Sequence, residues 1–321
     1  MKILVTGCAG FIGFHLCNEL LKEKNNVIVG IDNLNNYYDV SIKKKRLQIL
    51  KQYKNFKYVY GDLKDVSLFK RKKIKDNISH IYHFAGQAGV RYSIKKPSDY
   101  IKDNTLAYLN LLENFKNSKK LKAIFYASSS SVYGNSSENS SSVSPRKPIS
   151  VYAVSKLSME LLSQAYLSLY NMRCIGLRFF TVYGPWGRPD MAYFKFCKLI
   201  SKNKKIEIYN NGKHYRSFTY IDDAINNLLL ITKNLNKINF KKESVFNIGN
   251  PKTESLKKFV SLIEKNISIK SKKIYKKKQL GDVLNTRSNN QIEKKLFKFK
   301  FQTDLEKGIK KFINWFLLEY E

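Results

Sequence analysis

Tyr152 and Lys156 stand four residues apart in the run Tyr152-Ala-Val-Ser-Lys156, a spacing that puts a phenol and an ammonium on the same face of a helix. A neighbouring cation favours a phenolate, so Lys156 is expected to draw the Tyr152 pKa down from its usual value of roughly 10 and let the phenol accept an alcohol's proton. The spacing alone also occurs by chance on solvated helix faces, so its meaning depends on what surrounds it. Hydroxyls are the natural third component. The apolar strand Ala123-Ile-Phe-Tyr126 leads into Ala127-Ser-Ser-Ser-Ser-Val-Tyr-Gly134, and a serine at a strand's carboxyl end can bond both a substrate hydroxyl and a tyrosine oxygen.

The elements that must hold such a group begin at residue 2. Lys2-Ile-Leu-Val-Thr6 reads as a buried strand that enters Gly7-Cys-Ala-Gly10-Phe-Ile-Gly13 and then a helix with apolar Leu16, Leu20 and Leu21. Strand, glycine loop and helix form a pyrophosphate cradle: Gly7, Gly10 and Gly13 keep side chains out, and the first turn, with Phe11 and Ile12, offers backbone N–H groups and a partial positive charge. A second strand, Val27-Ile-Val-Gly-Ile31, ends in Asp32 and Asn33. A carboxylate there can bind ribose hydroxyls and would repel a 2′-phosphate, so NAD rather than NADP is expected. Asp62-Leu63 and Ala85-Gly86 end two further strands, where a dinucleotide's adenine and nicotinamide halves would pass. His83 reads as a packed core residue.

Together these segments resemble the extended short-chain dehydrogenase/reductase family, in particular its nucleotide-sugar epimerases. Three more, His83 to Ser93, Arg178-Phe-Phe-Thr-Val-Tyr-Gly-Pro-Trp-Gly-Arg-Pro-Asp-Met-Ala192 and Phe218-Thr-Tyr-Ile-Asp-Asp223, resemble those that act at C4 of UDP-glucuronate. The resemblance implies a doubly wound parallel α/β sheet with a smaller C-terminal α/β lobe. It implies Ser129, Tyr152 and Lys156 as the catalytic set, Ser130 assisting and Asn104 in the active-site region. It also places Arg216 and Asp282 at the nucleotide and Thr181 and Arg188 near a sugar carboxylate, with Arg91 a second candidate for the same anions. An Arg guanidinium suits a carboxylate or diphosphate, because it binds through two parallel charge-assisted bonds. Two positions depart from the family pattern: Ser217 stands where Asp is usual, and Arg287 where Tyr is usual.

The implied reaction is epimerisation of UDP-glucuronate and UDP-galacturonate through a transient 4-ketone, with NAD as the only cofactor and no metal. A 4-epimerase of another UDP-hexose and a UDP-glucuronate decarboxylase stay open, and a non-catalytic NAD sensor is the reading from a different class. The expected division is a cofactor domain over residues 1–180, with return segments around 218–248, and a UDP-sugar lobe over 181–321. Ser136 to Ser150, rich in serine with Pro145 and Pro148, reads as a mobile loop.

The 321 residues carry 59 basic and 25 acidic side chains, a formal net charge of +34. The lysines are scattered, and clusters such as Lys43-Lys-Lys-Arg46 form no nucleic-acid reading motif, so the charge is read as background and no specific nucleic-acid partner is expected. Cys8, Cys17, Cys174 and Cys197 have no metal-ligand spacing. Without a signal peptide or a bilayer-length apolar run, the chain reads as cytoplasmic and not membrane-bound. The resemblance implies a homodimer packed through helices, with Tyr152 to Tyr170 a candidate for one of them.

Overall fold

Strands β1 (Lys2–Thr6), β2 (Val27–Asp32), β3 (Phe56–Tyr60), β4 (His80–His83), β5 (Ala123–Ser129) and β6 (Cys174–Phe179) alternate with helices, as their continuous apolar runs require. In the computed structural model, which describes residues 1–71, 74, 76–136, 140–242, 244–277, 283 and 285–320, these strands join Val245–Ile248 in a seven-stranded sheet. The pairs β1/β2, β1/β4, β2/β3 and β4/β5 are all parallel. Parallel strands are covered on both faces, which is why Leu4, Val29, Ile31, Ile81 and Ile124 are fully buried together with Leu111, Leu112 and Phe115 of the helix Ala107–Phe115. With β1 lying between β2 and β4, the strand order reverses there, and such a reversal opens a ligand crevice at the carboxyl ends of the strands.

Two compact units divide the chain. The first comprises residues 1–132, 148–178 and 236–246, and the second residues 133–147, 179–235 and 247–321. The second unit contains β7 (Thr181–Tyr183), β8 (Ile206–Tyr209), β9 (Tyr215–Arg216) and β10 (Phe218–Tyr220). The strand Val245–Ile248 is β11, followed by β12 (Glu254–Ser255), β13 (Lys273–Lys276) and β14 (Asn285–Thr286). β7 pairs with β10 and β8 with β13, both parallel, while β9 lies between β12 and β14. Aromatic rings fill this unit's core, with Tyr193 edge-on to Phe312 at 5.0 Å and Phe218 against Phe259 at 4.5 Å.

Two expectations need correction. Of the segments expected to return to the main sheet, Val245–Ile248 does so, but Phe218–Tyr220 pairs only with β7 and Ile221–Lys233 is a helix. Its Asp222 and Asp223 at the helix start and Lys233 at its end match the helix dipole. The serine tract is anchored beyond residues 137–139, which lie outside the described residues. Ser140 and Ser142 are buried, and Ser140 donates its N–H to the Arg287 carbonyl at 3.0 Å and accepts from Asn289 N at 3.0 Å. Within the basic cluster at 43–46, Lys43 and Arg46 are buried.

Among the described residues, no helix is long and apolar enough to cross a membrane. All four cysteines are buried.

Candidate functional site

The glycine loop is shaped by close backbone approach. Gly7 has φ +72°, and a Cβ there would lie 2.6 Å from the Ala85 nitrogen. A Cβ on Gly13 would lie 2.1 Å from the Gly7 carbonyl oxygen, so the helix Phe11–Leu20 can sit this near the loop only without that side chain. Gly10 caps the helix without a side-chain bond, which leaves the first turn, with buried Phe11 and half-buried Ile12, presenting backbone N–H groups outward.

Asp32 ends β2 almost fully buried. Its Oδ2 accepts the Ala9 N–H at 3.0 Å and its Oδ1 the Leu34 N–H at 2.8 Å, so the carboxylate braces the loop it would share with a ribose. Arg46 braces the same loop from the other side. Its Nη1 donates to the Ala9 carbonyl at 2.7 Å and to the Tyr38 hydroxyl at 3.0 Å. Nothing in the local sequence marks Arg46 among its basic neighbours; the apolar period of the helix Val40–Lys51, with Ile42, Leu47 and Leu50 buried, is the one signal that puts residues 43 and 46 on the inner face. Asn33 donates to Asp62 Oδ2 at 3.0 Å. Burial alone would raise the Asp62 carboxyl, but the Lys64 backbone N–H, the Asn33 amide and the Lys64 ammonium hold it below the usual range. Leu63, beside it, belongs to the core.

The Tyr152/Lys156 pair rides on the helix Val151–Tyr170, which starts where Ser150 accepts the Ala153 N–H at 3.2 Å. Tyr152 stands edge-on to Tyr100 with ring centres 5.9 Å apart. Lys156 is 5% exposed, and its Nζ lies 3.5 Å from where a Cβ on Gly86 would be. Together with burial, its charge holds the His83 imidazole down at about 3, a neutral ring bonded through Nδ1 to Thr6 Oγ1 at 2.8 Å. Asn104, in a π-helical turn over Ile101–Leu106, links the loop after β4 to the helix Val151–Tyr170: Oδ1 accepts from Gln87 N at 2.7 Å, and Nδ2 donates to the Ser155 hydroxyl at 2.8 Å. Ser129 closes β5, and its Oγ accepts the Ser131 N–H at 3.1 Å; Ser130 opens the following 3₁₀ segment. The first unit thus gathers every cofactor and catalytic candidate, and Arg91 is exposed on its helix Val90–Lys95.

The second unit holds the remaining anion and sugar candidates. Thr181 begins β7 opposite Phe218. Arg188 is engaged by Asp190 through two bonds. Arg216 donates to the backbone carbonyls of Tyr215, at 3.0 Å, and of Val283. Asp282 lies outside the described residues. Of the two departures from the family pattern, Ser217 has a structural account and the Arg287 side chain has none. Ser217 is fully buried and its hydroxyl accepts the Ser288 N–H at 3.0 Å, whereas Arg287 is exposed and bonds Ser140 through its backbone carbonyl.

A glycine cradle, an acidic strand end and a Ser/Tyr/Lys set on one doubly wound unit define an NAD-dependent short-chain enzyme. Residues 3–249 match the model of the NAD dependent epimerase/dehydratase family, and the chain belongs to that family. Over 320 residues it is 46% identical to an uncharacterised protein of Methanocaldococcus jannaschii, covering 98% of this chain and 96% of the other. It is 40% identical to UDP-glucuronate 4-epimerase 4 of Arabidopsis thaliana over 334 residues, all of this chain and 76% of that one. Among solved structures it resembles the UDP-glucuronic acid 4-epimerase of Bacillus cereus in complex with UDP-glucuronic acid and NAD, with TM-score 0.92, 33% identity and 100% of both chains covered.

Proposed function

We propose that this protein is an NAD-dependent isomerase that interconverts UDP-glucuronate and UDP-galacturonate by inverting C4. The observation that carries this is its likeness, over both whole chains, to an epimerase solved with UDP-glucuronic acid and NAD. The loop from Gly7 to Gly13 and the Asp32 carboxylate fit a dinucleotide, because the space a Cβ would fill at Gly7 and Gly13 is already taken by backbone. Bound NAD supplies the acceptor, and then the donor, of one hydride.

The chain's own residues do the proton work. Tyr152 removes the proton of the sugar 4-hydroxyl, with Lys156 favouring the phenolate and Ser129 orienting the hydroxyl, and C4 becomes a ketone. Ser130 assists Ser129. After the keto-sugar turns about its diphosphate link, Tyr152 returns the proton to an oxygen now on the other face. Arg216 anchors the diphosphate and Asp282 serves the rest of the nucleotide, while Thr181, Arg188 and Arg91 serve the sugar and its carboxylate. Restraining that carboxylate matters, since a group β to a ketone can leave as carbon dioxide.

The active form is a homodimer in the cytoplasm. Val154, Leu161 and Leu169 of the catalytic helix are 43%, 54% and 70% exposed in one apolar row that a second copy would cover. Incubating the NAD-loaded protein with UDP-glucuronate and following the sugar H4 resonance by NMR tests the reaction. UDP-galacturonate is the expected product; no new sugar would reject the reading, and a UDP-pentose would replace it with decarboxylation.

A further inference from the structure

Glu160 is four residues beyond Lys156 and eight beyond Tyr152, so all three share one stripe of the helix Val151–Tyr170. Its side chain is 1% exposed and forms an ion pair with Arg178, which is 0% exposed. The contacts are directional. Glu160 Oε1 accepts Arg178 Nε at 2.8 Å, Oε2 accepts Nη2 at 2.7 Å, and Oε1 also accepts the Ser128 hydroxyl at 2.6 Å. Arg178 is the penultimate residue of β6 and Ser128 the penultimate residue of β5, so one carboxylate ties the catalytic helix to two strand ends.

For holding the fold alone, this is a costly solution. Apolar side chains of similar volume stabilise a core as well as a buried ion pair, and often better. What apolar contacts lack is direction, because a leucine packs nearly as well after a small slide, whereas a two-pronged pair loses both bonds. Direction is what the neighbouring chemistry needs. Ser128 precedes Ser129, and successive strand residues point to opposite faces, so turning Ser128 onto Glu160 turns Ser129 away from it. Tyr152 lies about 12 Å along the same helix from Glu160, so rotation of that helix about its axis carries the phenol with it.

We infer that Glu160, held by Arg178, is a positioning group that sets Ser129 through Ser128 and Tyr152 through their common helix. The inference rests on the reading above that Ser129 and Tyr152 act on the sugar 4-hydroxyl. Its test uses Ser128, which the reaction does not otherwise require.

In the NAD-loaded full chain, Ser128→Ala should lower kcat about tenfold, since small misplacements of reacting groups are costly, with KM for UDP-glucuronate within about twofold. The deuterium isotope effect with substrate labelled at C4 should rise as hydride transfer becomes limiting, and Ser128→Thr, which keeps the hydroxyl, should recover most of the rate. Unchanged kcat and isotope effect in Ser128→Ala overturn the inference. So does a deficit that disappears once rates are divided by the amount of folded, NAD-bearing protein, because that marks a purely structural contact. Tyr152→Phe, assayed alongside, isolates the underlying reading: its inactivity beside a fully active Ser128→Ala rejects the clamp alone, whereas full activity in Tyr152→Phe removes both.

Discussion

Arg188 and Asp190, separated by Pro189, are joined by a two-pronged ion pair, Nε to Oδ1 at 3.0 Å and Nη2 to Oδ2 at 2.5 Å. Their side chains are 22% and 18% exposed. Burial would raise the Asp190 carboxyl, but the Arg188 guanidinium outweighs it and holds the group below the usual carboxylate range. The pair therefore fixes the orientation of the guanidinium. If Arg188 serves the sugar carboxylate, Arg188→Gln should raise KM for UDP-glucuronate about 10–100-fold, as expected for a lost charged hydrogen bond. KM for UDP-glucose, which lacks the carboxylate, should change little. Asp190→Asn should produce a smaller rise with the same preference. Equal losses for both sugars would assign Arg188 to the nucleotide instead.

Tyr152→Phe removes one oxygen from the helix Val151–Tyr170 and leaves the ring against Tyr100. Turnover measured by NMR should fall by about 10²–10⁴, the range for a lost general base, while bound NAD and the melting temperature stay near those of the unaltered protein. Lys156→Met should also reduce turnover, through the phenol it supports.

Gly13→Ala is the sharpest probe of the cofactor cradle. The new methyl would sit 2.1 Å from the Gly7 carbonyl oxygen, so loop and helix must separate. Overpacking of this kind costs about 1–3 kcal/mol, and here it would distort the N–H groups proposed to meet a pyrophosphate. The purified variant should release NAD on desalting, visible as a loss of absorbance at 260 nm. Retention of a full complement would show that the loop does not cradle the cofactor as described.

Contiguous features of the site were legible in the sequence, and features closed over distance were not. A strand, a glycine loop and a helix start must be neighbours in the chain to cradle a phosphate, so Gly7 to Gly13 announces itself, and Asp32 follows from the next strand end. The helix carrying Tyr152 and Lys156 was equally readable from their spacing. Glu160 and Arg178 lie on separate elements, and in sequence each is simply a charged residue on a helix or strand. Arg46 is similar: it reads as one of four adjacent basic residues until the fold brings it to the Ala9 carbonyl. Ser217 looks like a loss from the family pattern, yet its hydroxyl bonds the backbone of Ser288, 71 residues on. Local pattern reports periodicity and turns, and it carries no information on which distant backbone group a buried polar side chain will meet.

His80 and His83, both buried, should make the fold acid-sensitive. Burial, and then the Lys156 charge, hold His83 down at about 3, and burial with the Lys122 charge holds His80 at about 4, against an ordinary value near 6.5. Both folded-state values are depressed, so the unfolded chain takes up protons first. Stability from their neutral burial is complete above about pH 6.5 and is lost as pH falls, by up to about 1.4 kcal/mol per pH unit for each ring. Asp62, Asp190 and Glu264, whose carboxyls are lowered, lose their contribution only nearer the carboxylate range, about pH 4 and below. Urea denaturation between pH 7 and pH 5 therefore reads chiefly the histidines, against which Asp223, its carboxyl raised by burial, works in the opposite direction. The unaltered protein should weaken steadily below pH 6.5, and His83→Gln, although less stable at pH 7, should weaken with about half the slope. An identical slope in both would mean that the ring stacked on Tyr108 is not a proton-linked group.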